Sequence, residues 1–321
     1  MSVTSCLIGH TGFVGSILCR ETNFSHLFNS ANIDEIGDCP EFDVVVCAAA
    51  PGSMFEANRQ PDLDLVRIEA LMDRLRTVRA RRFVLISSIA VLADMAAGYD
   101  EGNAAFQTGL AYGRHRRALE VFCANRFENC LTIRLPALFG SGLRKNFIFD
   151  LLNPMPGILP AARLETLVSA LGPTLGEQVA RLYVPDAASQ MLKLDRPSFD
   201  ARPEKLTLEW AVTEVGFSAM TFHHPETTYQ YYDMTRLWAD LGRATEAGLA
   251  EVHLATEPLQ AARIYKRLLG RLMPETGARL HREDMRTQHA DVWGRSGHYL
   301  DDAGDILDRL AIFFAAQRAP A

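Results

Sequence analysis

The sequence predicts an α/β fold: a doubly wound parallel sheet carrying a smaller, mostly C-terminal lobe. Three observations predict it. Strand-like and helix-like segments alternate through the first half of the chain, a glycine-rich turn joins the first strand to the first helix, and the alternation loosens after Gly140.

The apolar run 3–8 reads as a strand. It runs into Gly9-His10-Thr11-Gly12-Phe13-Val14-Gly15, three glycines three apart, and then into a helix whose Phe13, Val14, Ile17 and Leu18 share one face. In such a strand-turn-helix the first glycine makes the tight turn. The second admits a pyrophosphate to the backbone amides, and the third lets helix and strand pack closely. The helix N-terminus then faces the anion. A merely structural glycine turn is the competing interpretation, and the strand before and helix after favour the dinucleotide one.

A short strand at 26–29, an apolar strand at 43–50 and a helix at 61–78 come next. In that helix Ile68, Leu71, Met72 and Leu75 fall on one face and Arg67, Asp73, Arg74 and Arg76 on the other, as for a helix covering a sheet. A strand at 82–88, a helix at 112–127 and a strand at 131–135 complete the βαβα order. Beyond it lie prolines 154, 156, 160 and 173, short helical pieces at 176–182 and 186–194, and a helix at 146–152. A strand at 251–255 and helices at 259–269 and 303–316 close the chain. The expected division is a dinucleotide-binding domain at 1–140, an irregular substrate-binding lobe at 141–235, and a returning strand and helices at 236–321.

With 321 residues, 48% of them apolar, the chain can bury a large core. A net charge of −6, with no basic run longer than 79–82 or 114–117, argues against a nucleic-acid partner. Cys6, Cys19, Cys39, Cys47, Cys123 and Cys130 are scattered without CxxC spacing, so they read as reduced core cysteines rather than metal ligands or disulfides. No signal peptide and no apolar run long enough to span a bilayer are seen, so no membrane partner is expected and the expected compartment is the cytoplasm; with the cysteines so scattered, no metal is expected either.

Two hydroxyl side chains stand at the ends of successive βα units. Tyr112 opens a helix with Arg116 four positions later, one turn along the same face, where a cation is expected to lower the tyrosine pKa. Ser88 ends a strand at the same carboxyl edge of the sheet as the glycine turn, where such sheets bind ligands. A packing tyrosine and a capping serine are the plainer alternatives.

Together these segments resemble the extended short-chain dehydrogenase/reductase superfamily, the NAD(P)-dependent epimerase, dehydratase and reductase group with a Rossmann fold. The resemblance rests on 9–15, on Val45-Val46-Cys47-Ala48-Ala49-Ala50, on Ser87-Ser88-Ile89-Ala90-Val91, on 112–116, on Ile133-Arg134-Leu135-Pro136-Ala137-Leu138-Phe139-Gly140 and on 252–269. It implies Tyr112 as general acid/base, Ser88 as the residue orienting the substrate oxygen, and Arg116 as the partner of the nicotinamide ribose. It further implies cofactor contacts from Gly9, Thr11, Gly12, Phe13, Val14, Gly15, Ala48, Ala49, Ala50 and Pro136, and a homodimer formed through the helices at 61–78 and 112–127. The group carries lysine where this chain has Arg116, an atypical YxxxR variant, and a guanidinium is larger and planar. Loss of efficient redox chemistry is one consequence the exchange allows.

After the second strand stand Asn29 and Ser30, without the carboxylate that NAD-preferring members use on the ribose 2′-hydroxyl, which tilts the expectation to NADP over NAD. Ala137 replaces a usual asparagine contact to diphosphate sugars, while Arg144, Lys145 and Asn146 offer cations and an amide for a phosphate or carboxylate. A solvated basic turn capping a helix is the alternative there. His223-His224 are poor joint metal ligands, 229–232 could wall a pocket or pack a core, and 281–286 reads as plain surface. The expected activity is NAD(P)-dependent oxidation or reduction of a carbonyl or secondary alcohol, on a small molecule such as a sugar nucleotide or polyol. An NAD-recycling epimerase or dehydratase, and a non-catalytic dinucleotide-binding regulator, stand as alternatives.

Overall fold

The computed structural model describes residues 3–187 and 189–318. The chain divides into two compact units, one of Met1–Leu143, Tyr229–Leu259 and Arg282–Leu310, the other of Arg144–Thr228, Gln260–His281 and Ala311–Ala321.

The first unit is built on a six-stranded parallel sheet. Strands β1 (Ser5–Ile8), β2 (His26–Phe28), β3 (Val44–Cys47), β4 (Phe83–Ser88) and β5 (Cys130–Leu135) are joined at the edge by Glu251–His253, in the order Glu251–His253, β5, β4, β3, β1, β2. Because β1 pairs with β2 on one side and β3 on the other, the chain reverses direction across the sheet between β1 and β3. The crevice beyond their carboxyl ends is where open α/β sheets take ligands.

Both faces of the sheet are apolar, as a sheet covered on both sides demands. On one face Leu7, Val46, Val84, Ile86 and Ile133 pack against Ile17 and Leu18 of α1 (Phe13–Glu21) and against Leu237 and Leu241 of the helix Leu237–Glu246. On the other, Cys6, Ile8, Val45, Cys47, Phe83 and Leu85 meet helices that follow β3 and β4. Successive strand residues therefore alternate between two cores. All six cysteines are free, and Cys6, Cys47 and Cys123 are buried.

Three helices follow on that second face: α2 (Met54–Arg59), α3 (Pro61–Leu75) and α4 (Ala111–Arg126). The pattern at 61–78 placed α3, which stops at Leu75. The sequence pattern missed α2, although Ser53 caps it by accepting the Glu56 N–H, with glutamate at the third helical position as in a capping box.

The second unit has a core of Met155, Leu159, Leu167, Val179, Phe199, Leu208 and Val212. Among the described residues of 186–194 the expected helix is not found. Tyr183–Asp186 and Met191–Leu194 form an antiparallel hairpin, with Gln190 at φ +53° and the Asp186 carboxylate accepting the Ser189 N–H at 2.8 Å. An aspartate that bonds its own turn outcompetes a helix start here. The piece at 176–182 is the end of a longer helix, Ala161–Ala180, broken at Gly172 with φ +75° before Pro173. His223 follows a short 3-10 turn and bonds Asp150 at 2.8 Å.

Candidate active site

The glycine turn is fixed from within at two of its three positions. Gly9 has φ +93°, a left-handed conformation, and a Cβ there would lie 2.6 Å from the Ala48 carbonyl oxygen. At Gly15 a Cβ would come within 2.2 Å of the Gly9 carbonyl oxygen, so only glycine lets α1 approach the turn. Gly12 differs. Its φ is −73° and its nearest obstacle is the Gly9 oxygen at 3.4 Å, so nothing in the protein demands glycine there. Gly12 is also the N-cap of α1, which has no side-chain cap and no acidic residue in its first turn. The first amides of α1 and a surface free of Cβ thus meet at one place, which suits a bound anion.

Beside the turn, His10 Nδ1 lies 3.0 Å from the Phe28 carbonyl oxygen. Asn29 Oδ1 accepts the Ala31 N–H at 2.8 Å, while the Asn29 N–H is held by Asn32 Oδ1 at 2.8 Å, so a neutral turn follows β2. Thr11 is exposed, Phe13 and Val14 are half-buried, and Ser30 is exposed. Ala48, Ala49 and Ala50 continue from β3, the Ala48 N–H bonding the Ile8 carbonyl at 2.9 Å, and buried Pro136 follows β5.

Ser88, Tyr112 and Arg116 are brought together. The Ser88 hydroxyl ends β4 and accepts the Ala90 N–H at 3.2 Å. Helix α4 presses on that turn so closely that a Cβ on Gly113 would lie 2.0 Å from the Ala90 carbonyl oxygen. Asn58 of α2 anchors the start of α4, accepting the Tyr112 N–H at 2.9 Å where Leu110 offers no side-chain cap. The Arg116 guanidinium lies over the Tyr112 ring, 4.0 Å from its centroid.

Arg116 does not stand alone. Its two Nη groups grip Asp64 of α3, Nη1 on Oδ2 and Nη2 on Oδ1 at 2.8 Å, and Nη2 also donates to the Pro51 carbonyl at 2.5 Å. His115 adds an Nδ1 bond to Asp64 at 2.8 Å. Arg116 and Asp64 are each only 3% exposed, and Arg116 Nε is buried without a hydrogen-bond partner. Both N–H groups of Nη2 are therefore already engaged.

The expected lowering of the tyrosine pKa is corrected by this arrangement. Burial raises the Tyr112 phenol above its ordinary value, outweighing the Arg116 charge and a hydrogen bond with Ser88, and the Asp64 charge pushes the same way as burial. Burial also pushes the Asp64 carboxyl up, but hydrogen bonds from Arg116 and His115 hold it below its ordinary value.

Arg144, Lys145 and Asn146 belong to the second unit, where Asn146, at φ +112°, caps the helix Phe147–Leu152 by accepting the Ile148 and Phe149 N–H groups. Tyr232 is buried and donates to Asp240 at 2.6 Å. The stretch read as surface at 281–286 is partly core: Met285 is buried and its N–H bonds Gln230 Oε1 at 2.7 Å, while Glu283 accepts the Gln230 N–H at 2.9 Å. Asp64 was missed by sequence reasoning, yet it lies on the buried stripe of α3 with Ile68, Leu71 and Leu75, where a carboxylate calls for a partner.

No family model and no curated protein sequence matches the chain. Among solved structures it is similar to a GDP-D-glycero-L-gluco-heptose synthase from Campylobacter jejuni in the presence of NADPH (TM-score 0.63, 13% identity, 99% of this chain and 100% of that one). A dTDP-4-dehydrorhamnose reductase from Bacillus anthracis in complex with NADP matches at TM-score 0.61 and 13% identity over 98% of this chain and 99% of its own. A UDP-glucose 4-epimerase from Thermotoga maritima with UDP-glucose gives 0.60 and 11% over 98% and 99%. Over essentially their whole length, then, this chain and these proteins share one fold, the doubly wound Rossmann-type sheet.

Proposed function

We propose that the chain is an NAD(P)-dependent oxidoreductase acting on a carbonyl or secondary alcohol, with a sugar nucleotide or related polyol as substrate. The observation that carries this reading is the seating of Ser88 and Tyr112 at the same carboxyl edge as the Gly12 cradle, enforced by the close approach at Gly113.

The cradle fits a dinucleotide pyrophosphate, with Gly9, Thr11, Gly12, Phe13, Val14 and Gly15 around it and Ala48, Ala49, Ala50 and Pro136 along the path to the nicotinamide. The uncharged Asn29 and Ser30 offer no repulsion to a 2′-phosphate, which favours NADP over NAD. NADP or NADPH accompanies two of the similar structures, which supports the same choice. Bound, the nicotinamide supplies or accepts the hydride. The protein handles the oxygen: in reduction the Ser88 hydroxyl donates a hydrogen bond to the carbonyl, and the Tyr112 phenol passes its proton to the forming alkoxide. Arg116, stacked on the ring, stabilises the phenolate left behind.

Arg144, Lys145 and Asn146 are proposed substrate contacts for a phosphate or carboxylate. A homodimer is proposed through α3 and α4, supported by exposed Leu63 (43%), Val66 (59%) and Val121 (45%). Among the described residues no helix is long and apolar enough to cross a membrane. The six free cysteines support a reducing compartment, the cytoplasm.

The deciding experiment is a thermal-shift comparison of NADPH and NADH followed by turnover with carbonyl sugars. Stabilisation by NADPH and turnover lost in Tyr112→Phe are expected. Binding without turnover, unchanged by that substitution, would favour the regulatory alternative, which the engagement of Arg116 by Asp64 makes specific.

A further inference from the structure

Resting on the oxidoreductase reading, we propose that Asp64 is a positioning residue of this site: gripping Arg116 with both carboxylate oxygens, it holds the guanidinium over the Tyr112 ring and offsets part of the pull of that charge on the phenol proton. The phenol is thereby kept a weaker acid than Arg116 alone would leave it.

The geometry carries this in three steps. Asp64 sits on the buried stripe of α3, where its charge is held by two Nη groups of Arg116 and by His115. A two-pronged carboxylate–guanidinium contact fixes the plane of the guanidinium as well as its distance. The guanidinium carbon lies over the Tyr112 ring, 4.0 Å from its centroid, and the Pro51 carbonyl closes the remaining side of Nη2. A lysine ammonium is a point charge on a flexible stem and offers no plane to stack. The arginine four residues after the tyrosine and the aspartate on α3 thus form one device.

The charges around the phenol are few. Arg116 and, behind it, His115 come from α4, Asp64 from α3, and the uncharged Ser88 hydroxyl from the end of β4. Helix α2 contributes the Asn58 amide to the Tyr112 backbone, and its Glu56 and Arg59 are exposed. Asp62 and Arg67 of α3 and Arg114 of α4 are exposed as well. The Asp64 charge raises the phenol and so offsets part of the lowering by the Arg116 charge.

The test uses the full chain with 3-fluorotyrosine incorporated, followed by fluorine NMR as pH is raised, with the Tyr112 resonance identified by its loss in Tyr112→Phe. Because the Asp64 charge raises the phenol, its removal in Asp64→Asn is expected to lower the midpoint, by about one pH unit. Asp64→Glu is expected to restore the wild-type midpoint in part. In Asp64→Asn/Arg116→Gln, which removes both charges, the midpoint is expected to return towards wild type. Where Asp64→Asn alone does not fold, the comparison is Arg116→Gln with the double variant, and the single variant must titrate at the higher pH. An unchanged midpoint in Asp64→Asn, or equal midpoints in that second comparison, overturns the proposal. The titration needs neither cofactor nor substrate, so failure of NADPH to bind would overturn the oxidoreductase reading and leave this measurement separate.

Discussion

Helix α4 carries two buried ion networks about one turn apart, and they serve different ends. At its start Arg116 is paired with Asp64 and lies on the half-buried Tyr112 ring, at the carboxyl edge of the sheet. One turn later Glu120 accepts from Arg134 through both oxygens, at 3.0 and 2.9 Å, and from Ser87 at 2.5 Å. Arg134, fully buried, also reaches Glu251 at 2.8 Å and His253 at 2.7 Å. Since arginine has no acceptor, His253 Nε2 must be the unprotonated nitrogen, and Nδ1–H donates to the Arg286 carbonyl at 2.7 Å. The second network ties β4, β5, α4 and the edge strand Glu251–His253 together and holds no group free to react. The first leaves a phenol beside a hydroxyl. Buried charge alone does not mark a catalytic site; a reactive group at the rim of the pair does.

That contrast can be broken in several ways. The largest effect belongs to the closed network: Arg134→Met leaves Glu120 short of its main partner and is expected to cost about 3–5 kcal/mol in urea unfolding, with no movement of the Tyr112 titration. A loss below 1 kcal/mol would mean that Arg117, 2.7 Å from Glu120, suffices.

Next come the glycines. Gly15→Ala forces a Cβ against backbone and is expected to lower stability by roughly 1–3 kcal/mol. Gly12→Ala is expected to unfold like wild type, while replacing its absent Cβ with a methyl group should weaken NADPH binding roughly tenfold or more, about 1.4 kcal/mol. Equal loss of stability in both variants would remove the argument for a cradle at Gly12.

The smallest effects separate the networks by pH. Burial, aided by the Arg134 charge, keeps the His253 pKa below its ordinary 6.5, so the unfolded chain binds the extra proton first. Stability from this group is therefore complete above pH 6.5 and declines as pH falls below it. Asp64 has a folded pKa below its ordinary 3.8, so its contribution is complete above pH 3.8 and is lost only in stronger acid. Urea midpoints recorded from pH 8 to pH 3 should show the two declines in that order, and His253→Gln should remove the first. Asn58→Ala, which uncaps α4, is expected to cost about 1 kcal/mol.

What the sequence made legible follows the same division. The glycine turn, β1, β3, β4 and the helices α1, α3 and α4 were readable because backbone turns and two-faced apolar strands leave local patterns. Tyr112 and Ser88 were readable from their places at element ends. Asp64 was not, because its meaning lies in a contact with Arg116, 52 positions away. Its one local trace is a carboxylate in line with Ile68, Leu71 and Leu75. The hairpin at 183–194 was hidden for another reason: the side-chain turn at Asp186 is stronger than the weak helical pattern across it. Gln230, which pins Met285 and Glu283, was likewise invisible without the tertiary contacts.

The central claim is a nicotinamide site whose proton donor is Tyr112. Its most direct test is turnover: oxidation of NADPH followed at its absorbance maximum with a panel of keto-sugar nucleotides, in wild type and Tyr112→Phe. The account predicts turnover in wild type with at least one such substrate and a loss of about 10²–10⁴-fold in the variant, with NADPH affinity retained. Equal turnover in the two proteins would contradict it.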